Sequence, residues 1–224
     1  MERFKESQIP QRLVVYFVGL LVLSLGISIS VRAGLGVSPV QSVPLVLSYI
    51  LPHITIGTCV FIMFTAYMTA QIVLLRREFQ WFQLAQIPVA FLFGYLVDLW
   101  LLLLGDFRIP TYFGQLLMTV VGIFLAASGI ILHVRAKIVA LPPDALVVAI
   151  MKKFPNSTFG SIKVPFDWSL VLVAVCFSLV FMHGIYGVRE GTLIAAFGIG
   201  KSIPIARRLW VAPLERAGFI RWAE

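Results

Sequence analysis

Asp144, Lys163, Asp167 and Lys201 stand in or beside apolar runs. An ionisable group in hydrocarbon costs about 2.5–3.5 kcal/mol on insertion scales, so each one needs a partner, a cavity or a route to water. Asp144 follows Pro142 by two residues, at the start of a short apolar run. There it is either a first-turn acid favoured by the helix dipole or a carboxylate that binds a cation or carries a proton. Gln41 holds the same place after Pro39 and hydrogen-bonds without titrating. Lys163 and Asp167 are four apart, which puts them on one helix face as a local ion pair. Alternatively, Asp167 faces a polar cavity beside Asp144. Lys201 either snorkels towards Arg207 or partners an aspartate or an anionic ligand.

Proline suits the first position of a helix, because its missing N–H would be unpaired there anyway. Pro39 and Pro142 are therefore expected to open two helices, with Ser38 as an N-cap for the first. Such N-termini offer free N–H groups and partial positive charge to an anionic or zwitterionic solute. The candidate solute-binding set is Ser38, Pro39, Gln41, Pro142, Asp144, Asp167 and Lys201. Arg32 and Arg135, before the two prolines, are read as edge anchors or as donors to carbonyls freed in the turns. Asp98, His133 and His183 are read as interfacial. No nucleophile is paired with a base, and Cys59 and Cys176 lack metal or disulfide spacing. The expectation is a non-enzyme with no metal and no cofactor.

Composition sets the surroundings. Of 224 residues, 60% are hydrophobic and 12% charged, with mean hydropathy +0.97. That is too much apolar surface for a water-soluble domain, so the bilayer is the expected partner. The net charge of +8 then reads as cytoplasmic loop charge and not as a nucleic-acid surface. The run 13–31 is too long for a signal-peptide core and reads as a retained first span.

The chain repeats itself. Val31-Arg32-Ala33 answers Val134-Arg135-Ala136, at an offset of 103 residues. The same register pairs Gly19 with Gly122, Gly26 with Gly129, and Thr55-Ile56-Gly57-Thr58 with Thr158-Phe159-Gly160-Ser161. Ala90-Phe91-x-x-Gly94 answers Ala196-Phe197-x-x-Gly200 at an offset of 106. Apolar runs cover 13–31, 39–51, 55–75, 82–105, 112–134, 142–151, 164–187 and 191–206. A span needs around 20 residues, so 39–51 and 142–151 are half-helices. If they re-enter, 14 of the 18 Lys and Arg residues face the cytoplasm and only Arg32, Arg108 and Arg189 face out. If they span, the bias weakens to 11 against 6. The positive-inside rule thus favours six spans over eight.

The expected fold is an all-α polytopic membrane protein, a single membrane domain over 1–224. Two inverted repeats, about 12–105 and 112–206, each carry three transmembrane helices and a short re-entrant half-helix. The alternative is eight spans in two parallel four-helix repeats. Residues 207–224 read as a basic cytoplasmic tail, with both termini inside.

The order of Arg32-Ala33-Gly34-Leu35-Gly36-x-Ser38-Pro39, Pro142-x-Asp144, Lys163…Asp167 and Gly191-Thr192…Gly200 resembles the bacterial YitT/YczE family of multi-pass membrane proteins. The resemblance covers roughly 12–206 and implies a bacterial cytoplasmic membrane location, with a largely undefined activity. Gln41 stands where many members carry an acid, and Lys137-Ile138-Val139 replaces a glycine-rich turn. Without the soluble C-terminal domain of YitT-type members, the chain sits nearer the YczE branch. The leading expectation is secondary transport or permeation of a small anionic or zwitterionic solute, with proton coupling through Asp144. The rival is a non-transporting scaffold or regulator; assembly as a homo-oligomer stays open.

Overall fold

The computed structural model describes residues 9–107 and 109–216. These form nine α-helices and no strand: α1 (Ile9–Ala33), α2 (Pro39–Ile50), α3 (Ile56–Leu75), α4 (Gln86–Leu104), α5 (Tyr112–Ala136), α6 (Pro142–Lys153), α7 (Phe159–Met182), α8 (Glu190–Ala206) and α9 (Ala212–Arg216). Five helical stretches are long and apolar enough to cross a membrane: Ile9–Ala33, Ile56–Glu78, Trp81–Leu104, Tyr112–Ala136 and Phe159–Met182. This is the build of a membrane protein. Helices α2 and α6 have 12 residues each, about 18 Å, as expected of half-helices.

The sixth expected span is the exception. Helix α8 has 17 residues, about 25 Å, and falls short of a span on length. Its bounds follow the apolar run 191–206, and the loop before it turns back on α7. Ser178 Oγ donates to the carbonyl of Gly184 at 2.6 Å and accepts from the N–H of Tyr186 at 2.7 Å. The loop therefore folds back along α7, and α8 begins deep, with the Gly191 N–H on the Leu35 carbonyl at 2.7 Å. At its other end α8 runs through a π turn, Arg207–Val211, into α9. That segment packs onto α5, where Trp210 Nε1 donates to Ser128 Oγ at 3.1 Å and Val211 is buried. The first part of the basic tail is thus docked on α5; Arg221 and Trp222, like Arg3, Lys5 and Arg108, lie outside the described residues.

The helix starts repeat with the sequence. Thr55 caps α3 by accepting from Thr58 N, and Thr158 caps α7 in a capping box with Ser161. The turns before α2 and α6 match as well. Gly34 has φ +73°, and its counterpart Lys137 adopts the same left-handed region at φ 52°. A side chain there costs on the order of 1–2 kcal/mol.

Helices α1 and α5 make the closest pairing. Gly19 lies against Gly129 and His133, and Gly26 against Gly122 and Ala126. As numbers rise on one helix they fall on the other, so the two run antiparallel. A Cβ on Gly26 would stand 2.5 Å from Ala126 N and 2.6 Å from Gly122 O. Small residues here let the backbones touch, which is how helices associate where no hydrophobic effect drives them. Around this pair α4 packs on α1 and α8 on α5, while α2 packs on α3 and α7, and α6 on α7 and α3. Tyr16, Leu20, Val46, Phe64, Phe93 and Val97 anchor the core, with the Phe64 and Phe93 rings stacked at 5.6 Å.

Candidate functional site

Backbone carbonyls at the two turns and helix starts accept hydrogen bonds from distant parts of the chain. Arg189 donates to Gly34 O at 3.3 Å and Gly191 N to Leu35 O. Tyr16 Oη donates to Val139 O at 3.0 Å, and Gln71 Nε2 to Pro142 O at 3.1 Å. Gln71 and Gln86 exchange amide hydrogen bonds at 3.2 Å, which fixes the donor. Unpaired backbone in an apolar interior costs several kcal/mol, so these bonds hold the half-helices in place.

The expected roles of the arginines change accordingly. Arg32 reaches a helix end and not its own turn: Nη2 donates to Leu101 O at 2.9 Å and Nη1 lies 3.5 Å from Asp106. Arg135 makes no hydrogen bond or ion pair among the described residues. Ser38 makes no side-chain cap on α2; its carbonyl accepts from Gln41 N at 2.9 Å instead.

Asp144 and Asp167 come together through Lys163. The Lys163 ammonium lies 3.2 Å from Asp144 Oδ1 and 3.1 Å from Asp167 Oδ1, with side-chain exposures of 20%, 31% and 22%. Both sequence alternatives hold at once: the local i,i+4 pair forms, and it sits beside Asp144. Two carboxylates against one ammonium leave a net charge of −1.

A cavity of about 70 Å³ opens between α7 and α8, lined by Pro39, Asp167, Trp168, Thr192 and Phe197 among others. It has room for a few water molecules. Thr192 is fully buried, lies against Gly36, and its Oγ1 has no hydrogen-bond partner. Gln41, on the first turn of α2, is 5% exposed with Oε1 likewise unpartnered. A buried polar atom left unpaired costs about 1–3 kcal/mol, and a bound group that pairs it recovers that energy. A second cavity of about 410 Å³ lies at the far ends of α1, α2 and α4, lined by Arg32, Tyr49, Leu101 and Gln115.

Of the sequence-predicted set, Pro39 and Asp167 line the α7–α8 cavity, Asp144 joins it through Lys163, and Ser38, Gln41 and Pro142 lie on the helix starts. Lys201 is exposed on α8 and lines neither cavity.

A family model described as a family of unknown function, DUF6198, matches residues 10–208. The chain belongs to that family. The match takes in both half-helices, the Asp144–Lys163–Asp167 cluster and the whole lining of the α7–α8 cavity. A DUF6198 chain is also similar here to the uncharacterized protein YyaS of Bacillus subtilis (strain 168), at 26% identity over 161 residues, 71% of this chain and 78% of the relative. No solved structure matches.

Two buried polar residues of this region are not among the sequence-predicted set. By sequence Thr192 figures only within the Gly191-Thr192…Gly200 motif, and its unpaired hydroxyl marks it in the structure. His133 reads as interfacial, yet it is 1% exposed, with Nδ1 at 3.0 Å from Gly129 O and its ring edge-on to Tyr16. It belongs to the α1–α5 seam.

Proposed function

We propose that this chain is a bacterial cytoplasmic-membrane transporter or permease for a small solute, built from two inverted three-span repeats with both termini inside. The antiparallel α1–α5 pairing supports the six-span topology, because eight alternating spans would run α1 and α5 in the same direction. Helix α8 serves as the sixth span, extended by the turns that follow it. The resemblance to the YitT/YczE group is retained as part of this proposal.

One observation carries the reading: Pro39 at the N-terminus of α2, Thr192 and Asp167 line one cavity, with the Thr192 hydroxyl buried and unpaired behind it against Gly36. A helix N-terminus favours a carboxylate, a hydroxyl serves either donor or acceptor, and Asp167 favours an amine. Within the anionic or zwitterionic class, this combination favours a small zwitterion. Asp144 and Asp167, sharing one lysine, supply a carboxylate for proton coupling.

Purified protein in proteoliposomes should take up at least one labelled zwitterion from a panel of amino acids and small carboxylates. Thr192→Val keeps the shape and removes one hydrogen bond. It should leave stability intact and lower uptake at limiting solute about tenfold, the worth of roughly 1.4 kcal/mol. No flux of any solute through the wild type would reject transport in favour of a scaffold.

A further inference from the structure

The main helix pairings of the two halves repeat, with one exception. Helix α3 lies closed along α4: Gly57 and Gly94 meet backbone to backbone, and the Phe61 and Phe91 rings pack edge-to-face at 5.7 Å. The sequence register gives the counterparts as Gly160 with Gly200 and Val164 with Phe197. Yet α7 and α8 share no comparable contact. Gly160 and Gly200 each face open space to 4 Å, and Val164 and Phe197 stand on opposite walls of the cavity. The closed pair also carries a latch that the open pair lacks. Asp98 accepts from Thr55 Oγ1 at 2.7 Å and from Gly57 N at 2.8 Å, and the residue in its place on α8 is Pro204.

We propose that these are the two halves of one exchange: in a second conformation α7 closes on α8 through Gly160 and Gly200, while α3 parts from α4. The glycines of the open pair are then small for a contact made only in that state. The latch explains which state is seen, since Asp98 holds one pair shut and nothing equivalent holds the other. Two packings of equivalent helices differing by one such contact form a bistable element of the kind that alternating access requires. The inference rests on the inverted-repeat reading above but does not require that the solute be a zwitterion, or that any solute be found.

The test uses the full chain with Cys59→Ala and Cys176→Ala. One protein carries Val164→Cys with Phe197→Cys, a second carries Phe61→Cys with Phe91→Cys, and a third carries all four. Across 164–197, a short bifunctional thiol reagent should cross-link slowly. Asp98→Ala, which removes the latch, should speed that reaction about tenfold. Locking 61–91 first should suppress it at least tenfold. Cross-linking across 164–197 that proceeds unchanged with 61–91 locked overturns the proposal, because the halves then move independently. So does a 164–197 pair that never reacts, or spin labels at those positions that report one distance in both wild-type and Asp98→Ala backgrounds. Uptake separates the two readings. Mutual exclusion of the cross-links without flux in any protein keeps the exchange and rejects transport. Flux that persists with 61–91 locked keeps transport and rejects the exchange.

Discussion

Lys163→Met removes the one cation between Asp144 and Asp167 and changes the cluster from −1 to −2. Breaking a fully buried pair by removing one partner costs about 3–5 kcal/mol, whereas exposed pairs are worth about 0–1. With side chains that keep 20–31% of their exposure, we place the loss near 2 kcal/mol. For a chain of this size that is a fall of roughly 4–8 °C in the midpoint of thermal unfolding, measured in detergent by intrinsic fluorescence. Asp167→Asn changes the same cluster from −1 to 0 and should cost well under 1 kcal/mol. Combining it with Lys163→Met should recover part of the loss, since one carboxylate then remains where two repelled each other. The order of stabilities is therefore wild type close to Asp167→Asn, then the double variant, then Lys163→Met. A Lys163→Met protein as stable as wild type, with Asp167→Asn the destabilised one, would refute the charge reasoning.

Cysteines at Ser38 and at Leu141 should label from opposite sides of the membrane in intact cells and inverted vesicles; labelling of both from one side would sink the re-entrant topology. Asp144→Asn should fold and still exchange labelled solute while losing the pH dependence of net uptake, and wild-type pH dependence in that variant would end the coupling role. Gly26→Leu should abolish a monodisperse detergent-solubilised protein, because its side chain must enter the α5 backbone at Ala126. Gly34→Ala, with open space around it but φ +73°, should cost only about 1–2 kcal/mol.

Much of the architecture is carried by local physics and so can be read from the chain. A glycine recurring in register marks where backbones touch, and Gly19, Gly26, Gly122 and Gly129 do meet in one seam. Pro39 and Pro142 mark two helix starts because proline is tolerated there, and both helices begin on them. What stayed hidden depends on distant partners. The Lys163 ammonium reaches Asp144 from another helix, which no spacing rule reveals. Lys137 takes a glycine's conformation with no glycine to announce it. The fold-back of the loop before α8 rests on Ser178, which apolar content does not encode. The openness of α7–α8 against the closure of α3–α4 follows from no local pattern, since it depends on contacts such as Asp98 with Thr55 and Gly57, 41–43 residues apart.

The carbonyls of Gly34 and Leu35 are held by Arg189 and Gly191, and the first of these bonds joins residues 155 apart. A ribosome adding about 5–20 residues per second needs roughly 8–30 s to make that stretch. Through that interval neither of these donors exists, and water must serve the carbonyls of the nascent first turn. A product cut short before residue 189 lacks both bonds, so its first turn depends on water for good.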